Sequence, residues 1–180
     1  MKVMLECPKF SADQKQEVKN LFLKYWPIET DQTVPMDVKQ KAMMDWWIGD
    51  LEIFSHPSLN LTERDFRSMV GSSKLAMRHG ILEMMNTIRQ NQIPMVIVSG
   101  GIKAIIDVAL EQMLSVNNPD ASYQELMQMY NLFVLSNRFI FEEKLNPESG
   151  KLEQMVVDYD KKHILHSQNK KQFVNITAFE

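Results

Sequence analysis

A serine and two glycines follow directly on a short apolar run, Ile93-Pro94-Met95-Val96-Ile97-Val98, to give Ser99-Gly100-Gly101. A serine hydroxyl at the carboxyl end of a buried strand lies where open α/β sheets bind their ligands. The glycines let the backbone approach a ligand closely. A helix that follows offers free amides and the positive end of its dipole to an anion. Phosphate is the guest such a turn suits. A tight strand-to-helix turn also favours serine and glycine for purely structural reasons, so the motif alone reads either way. It is not a Walker loop, because no Gly-Lys-Ser/Thr follows, and the Gly-x-Ser-x-Gly frame of a nucleophile elbow is missing.

The elements that must position this turn can be read from the pattern. Ser11-Ala12-Asp13-Gln14 has the spacing of a capping box and opens a helix over roughly 12–25, with Val18, Leu21, Phe22 and Tyr25 on one stripe; Pro27 should end it. A second helix starts near Pro35 and runs through Met43, Met44, Trp46, Trp47 and Leu51. Thr62-Glu63-Arg64-Asp65 begins a short helix ending near Gly71, and 73–91 reads as another, interrupted at Gly80. Residues 93–98 then have the unbroken hydrophobicity of a strand buried on both faces of a parallel sheet. Helical periodicity returns from Ile102 to Leu114. After the polar stretch around Asn117-Asn118-Pro119-Asp120, residues 132–136 read as the next strand. Phe139–Glu143 and Met155–Tyr159 form a hairpin-like excursion around Asn146-Pro147-Glu148-Ser149-Gly150. The first half is helical and the second is α/β.

Composition bounds the function. The net charge is -3, from 20 basic and 23 acidic residues, so no electrostatic footprint points to nucleic acid. The single cysteine, Cys7, excludes a disulfide scaffold and a cysteine-rich metal site, and suits a reducing compartment. No apolar run is long enough for a bilayer, and the first residues are too short and polar for a signal peptide. The expectation is a soluble cytoplasmic protein without membrane partners. Fourteen methionines fit an adaptable binding surface or plain core filling.

In order along the chain, Tyr25-Trp26-Pro27-Ile28-Glu29-Thr30-Asp31, Met44-Asp45-Trp46-Trp47, Gly80, the Ile93-to-Gly101 segment, Ser136-Asn137 and His166-Ser167-Gln168-Asn169-Lys170 resemble the cytosolic pyrimidine 5'-nucleotidase (type III) family of haloacid-dehalogenase-like phosphohydrolases. The resemblance covers roughly residues 10–175. It implies an α/β fold: a partial Rossmann-like haloacid-dehalogenase-type core over 76–180, with a helical cap over 10–75. It implies magnesium-dependent hydrolysis of nucleoside 5'-monophosphates, pyrimidine nucleotides or 7-methyl-GMP, through an aspartyl-phosphate. Residue by residue, Ser99 matches the hydroxyl that holds the transferring phosphate, with the Gly100 amide beside it. Lys170 matches the catalytic lysine that neutralises the phosphate, with Lys171 one position away. Glu29 matches an acidic cap residue that binds the base or ribose, and Trp47 an aromatic ring set against the base.

The departures from the family are as informative. Its first motif, Asp-x-Asp-x-Thr, supplies the nucleophile and two magnesium ligands upstream of the cap; none of the 28 residues before Glu29 forms it. Its last motif, a Gly-Asp pair with a further aspartate, should follow Lys170 and does not. The magnesium ligands are therefore expected from segments outside this chain, which reads as a fragment that is inactive alone. Asp158-Tyr159-Asp160 imitates the first motif, but it lacks the threonine, comes after the serine motif and is flanked by Lys161-Lys162; it is a decoy. Asp50 stands where many relatives carry a cap serine. The stretches 115–131 and 143–162 are longer than the family usually has. Two alternatives stand beside the enzyme: a non-catalytic nucleotide-binding or interaction module derived from it, and a different α/β enzyme whose Ser99-Gly100-Gly101 cradles a cofactor phosphate. The latter would need a Gly-x-Gly-x-x-Gly turn, which is missing, although Asp120 lies near the distance of a ribose ligand.

Overall fold

The computed structural model describes residues 2–73 and 75–171. A short helix α1 (Lys2–Leu5) precedes two long ones, α2 (Ala12–Thr30) and α3 (Met36–Phe54). The capping box forms as the sequence requires: the Gln14 amide donates to Ser11 Oγ at 3.2 Å, and the Ser11 amide donates to Gln14 Oε1 at 3.0 Å. Pro27 does not end α2, which continues to Thr30. The bond Pro27 cannot make would go to the Leu23 carbonyl, on a face where Leu23 and Pro27 are both exposed, so water can satisfy it. The ring stack of Phe22 on Trp26, with centroids 5.4 Å apart, packs the turn just before the proline.

Asp31–Pro35 is too short to do anything but fold α3 back along α2. Asp31 Oδ1 accepts from the Thr33 amide at 2.8 Å and hydroxyl at 2.7 Å, and these bonds hold its carboxyl below the usual range. Lys39 Nζ donates to the Glu29 carbonyl at 3.2 Å across the pair. Helix α4 (Glu63–Ser72) follows, and α5 (Ile81–Gln90) starts only after Gly80, whose φ of 83° sets the left-handed cap. The helix expected over 73–91 is thus confined to its second half, because glycine is suited to that left-handed entry.

Strand β1 (Met95–Ile102) runs into α6 (Lys103–Leu114), and α7 (Tyr123–Met129) occupies what reads as a polar stretch; β2 (Leu132–Asn137) then pairs parallel to β1. Helix α7 escapes the apolar pattern because it is short, yet Ser122 and Glu125 form a full capping box for it. Strands β3 (Phe139–Leu145) and β4 (Leu152–Tyr159) make the expected hairpin. The two-faced burial expected of β1 fails at Val96, which is 52% exposed beside its partner Phe133 at 56%.

The largest apolar cluster joins the two halves. Phe54, Leu61, Phe66 and Met69 of the helical part pack with Ile102, Val108, Phe139 and Val156 of the α/β part. Phe66 stacks on Phe139 at 5.7 Å. A smaller cluster built on Leu114, Leu126 and Tyr130 covers one face of the β1–β2 pair. Ile102, at the end of β1, thus shares one core with Leu51 and Phe54 of α3.

Candidate active site

The Ser99-Gly100-Gly101 motif is not the turn into α6. It lies within β1 as a bulge: β1 places three residues between Val98 and Ile102 where β2 places one between their partners Leu135 and Asn137. A bulge re-aims a strand where pairing would otherwise hold it flat. Ser99 Oγ accepts from the Gly101 amide at 3.0 Å, which closes the bulge and leaves the hydroxyl proton free to donate. Gly100 lets the 164–170 segment come close, since a Cβ there would lie 3.3 Å from the Leu165 carbonyl oxygen and 3.4 Å from His166 Cα, tighter than an ordinary contact. The same position faces the Trp47 indole nitrogen at 3.7 Å.

Two buried asparagines bring the 164–170 segment against this bulge. Asn137 Nδ2 donates to the Gly100 and Leu165 carbonyls, both at 2.8 Å, and Asn137 Oδ1 accepts from the Leu165 amide at 2.7 Å. Asn169 closes the segment on itself, accepting from the His166 amide at 2.8 Å and donating to the Ile164 carbonyl at 2.8 Å. His166 is buried in the loop, and that burial lowers its pKa against the pull of Glu29. The loop carries Ser167 and Lys170 to the rim of a cavity of about 260 Å³.

The other wall of the cavity is helical. Phe22, Trp26 and Glu29 of α2 recur at i, i+4 and i+7, as do Met43, Trp47 and Asp50 of α3, so each helix turns one stripe toward the same space. Trp46, Met4, Gly100, Ser167 and Lys170 complete the lining. Asp50 is 4% exposed, and its Oδ1 has no hydrogen-bond partner. Burial pushes its carboxyl up to about 7, against the pull of the chain's α-amino group and, more weakly, of the Trp46 indole as a hydrogen-bond partner.

Of the residues singled out from sequence, Glu29, Trp47, Gly100 and Lys170 meet in this cavity, whereas Ser99 sits one residue behind its lining. Lys170 lines it and Lys171 does not. Trp46 and Trp47 both reach it, but Trp46 also stacks on the buried Tyr25 at 6.2 Å. Phe22, Trp26, Met43 and Asp50 were not singled out as ligand contacts. Their signal was the repeated i, i+4, i+7 spacing that ends in a carboxylate on each helix.

A larger cleft of about 530 Å³ lies between α4, α6, α7 and β3, but its cations are already paired. Arg67 meets Glu63 at 2.6 Å and Glu111 at 2.7 Å, Lys103 meets Asp107 at 2.6 Å, and Arg138 meets Asp160 at 2.9 Å. The Asp158-Tyr159-Asp160 imitation lies at the end of β4, with Asp158 2.9 Å from Lys161, and borders a different, open depression. It contributes nothing to the cavity beside Gly100.

The residues present do not fit a magnesium site. A hard divalent cation needs several oxygen ligands together. Among the described residues no three acidic, histidine or cysteine side chains converge. The two carboxyls of the cavity also stand apart. Gly49 abuts Leu21 across the helix pair, which leaves Glu29 eight residues, roughly 12 Å, further along the axis.

Among the described residues no helix is long and apolar enough to cross a membrane. Comparison with known proteins places the chain. Over 102 residues it is 28% identical to the 7-methylguanosine phosphate-specific 5'-nucleotidase of Gallus gallus, covering 57% of this chain and 35% of that one. Over 133 residues it is 29% identical to the Mus musculus enzyme of the same name, covering 74% and 40%. Its fold matches the crystal structure of cytosolic 5'-nucleotidase IIIB bound to cytidine, with a TM-score of 0.65 and 21% identity over 91% of this chain and 46% of that one. The chain spans less than half the length of each of these relatives. The family model for pyrimidine 5'-nucleotidase (UMPH-1) matches residues 1–178, and the chain belongs to that family.

Proposed function

We propose that this chain is the nucleotide-gripping part of a cytoplasmic 5'-nucleotidase, an enzyme that cleaves the phosphate ester of nucleoside 5'-monophosphates to nucleoside and phosphate. Residues 10–75 would form its cap, and residues 76–180 part of a haloacid-dehalogenase-type core. One observation carries the reading: a single cavity joins aromatic and acidic side chains of α2 and α3 to Gly100 and Lys170. The aromatic end suits a base and the other end an anion. The Lys170 ammonium would neutralise phosphate charge. The Ser99 hydroxyl, whose oxygen already holds the Gly101 amide, would donate its proton to a phosphate oxygen. Trp47 would lie against the base and Glu29 would accept from its amino group. The relatives' names favour 7-methylguanosine phosphate as one substrate, and the family name favours pyrimidine nucleotides.

In the enzyme, magnesium would be held by the family's first and last motifs, which these residues do not contain. The test is calorimetric titration of CMP, UMP and 7-methyl-GMP into the 180-residue chain, with phosphate release measured in magnesium. Binding without release is expected. Failure of all three to bind overturns the nucleotide reading, and magnesium-dependent release by the chain alone overturns the assignment of the nucleophile elsewhere. A longer parent protein that binds but never releases phosphate would instead establish the non-catalytic module.

A further inference from the structure

The Asp50 carboxyl is the one acidic group in the cavity that the pyrimidine-nucleotidase reading leaves without a task. It is buried on α3, one turn past Trp47, and its Oδ1 meets no donor. Its surroundings are apolar or aromatic: Met4 of α1, Phe22 and Trp26 of α2, and Met43, Trp46 and Trp47 of α3 all line the same space. The other charged side chains of the lining are Glu29 of α2 and Lys170 after the 164–169 loop; the charge that acts on Asp50 is the chain's α-amino group, which with the Trp46 indole pulls the carboxyl down against burial without cancelling it. A buried acceptor without a partner costs stability, so its retention at the wall of a ligand-sized cavity needs a reason.

We infer that Asp50 is a specificity-determining residue whose carboxylate is the counter-charge for a cationic nucleobase, such as an N7-alkylated purine, held in this aromatic-lined cavity. This rests on the nucleotide-binding reading and sharpens it. The aromatic faces favour a cation through their quadrupoles. An aromatic box alone leaves that charge uncompensated in a poorly solvated place; a carboxylate supplies the compensation and a charge-assisted hydrogen bond. A neutral base gives Asp50 no reason to ionise. Because burial holds the carboxyl near neutrality, a cationic ligand should expel its proton and a neutral ligand should not.

That difference separates a ligand contact from a structural role. The experiment titrates 7-methylguanosine and guanosine into the chain at pH 6, where the methylated base is cationic, in two buffers of different ionisation enthalpy. The wild type should prefer 7-methylguanosine by about tenfold or more and release close to one proton on binding it. Asp50→Asn should keep only the preference due to stacking and release no proton. Asp50→Ser, a second variant with a small polar group, should behave in the same way, and circular dichroism confirms that each variant is folded. Equal preference and equal proton release in wild type and variants would overturn the inference and leave the nucleotide reading intact. Wild-type chain that binds neither nucleoside, nor CMP or UMP, would overturn both.

Discussion

Asn137 and Leu165 bond to each other twice: the side-chain amide donates to the Leu165 carbonyl at 2.8 Å, and the Leu165 amide donates back to the side-chain oxygen at 2.7 Å. A third bond from the same side chain reaches the Gly100 carbonyl. One buried amide thus joins the end of β2, the bulge of β1 and the loop that carries Lys170. Asn137→Ala should leave these backbone groups unsatisfied and cost about 3 kcal/mol, read as a lower midpoint in urea unfolding. Asn137→Asp is the sharper probe, because it keeps the acceptor for the Leu165 amide but sets a carboxylate against two carbonyl oxygens. It should be at least as damaging. An unchanged midpoint for Asn137→Asp would mean that the clamp contributes nothing.

The lysine register gives a second expectation. Lys170 lines the cavity and its neighbour does not. Lys170→Met should weaken CMP binding by an order of magnitude or more while leaving cytidine almost unaffected, since only the monophosphate carries the anion it would meet. Lys171→Met should change neither. Ser99→Ala, which removes a neutral donor, should weaken CMP less than Lys170→Met does. If Lys171→Met is the damaging change, the loop presents the other side chain.

Helices α2 to α6, the two strands of the parallel pair and the hairpin were legible because local pattern marks each, whereas the short helices α1 and α7 were not. Ser11 with Gln14, Thr62 with Asp65, and Gly80 before Ile81 are written within a few residues of the helix each one starts. What was not legible depends on distant packing. Pro27 reads as a stop, yet α2 passes through it because the lost bond falls on the wet side of the helix. Ser99-Gly100-Gly101 reads as a turn, and its role as a bulge is set by the pairing of β1 with β2. The clamp by Asn137 spans 28 residues to Leu165, and no periodicity announces it. Glu29, Trp47, Gly100 and Lys170 were found through the ordered family resemblance. Asp50 was visible only as a departure from it, since burial of a carboxyl is a tertiary fact.

Asp50 also makes stability depend on pH. Burial raises its folded pKa to about 7, above the ordinary aspartate value of about 3.8. The folded state therefore holds the proton more tightly than the unfolded chain does. The resulting stabilisation is fully present below about pH 3.8 and is lost as pH rises to about 7. Against Asp50→Asn, which cannot ionise, the wild type should lose on the order of 4 kcal/mol between pH 3.8 and pH 8. Thermal melts of both proteins across that range would measure it. A constant difference in Tm from acid to alkaline pH would show that Asp50 ionises in the folded protein as it does in water.

The adjacent tryptophans should separate by what each substitution damages. Trp46 stacks on Tyr25 at 6.2 Å and meets Phe22 edge-on at 5.8 Å, and it packs against the small cluster of Tyr25, Ala42 and Met43. Trp47 packs on the main core along part of its surface and turns its indole nitrogen toward Gly100. Trp46→Ala should act mainly on folding, because it strips packing from the buried Tyr25 and the half-buried Phe22; about 3 kcal/mol is the scale for truncating a packed tryptophan. Trp47→Ala should cost less stability and more affinity, since its ring would contribute stacking to a bound base, worth about 1–3 kcal/mol per base. The measurements are urea unfolding of both variants and titration with CMP, UMP and 7-methyl-GMP. Trp47→Ala should lower affinity for all three, and most for the cationic 7-methyl-GMP, because only that base gains a cation–π contact from the indole face. If Trp47→Ala leaves all three affinities unchanged while unfolding as easily as Trp46→Ala, Trp47 belongs to the cap's packing and the base must stack elsewhere, on Trp26 or Phe22.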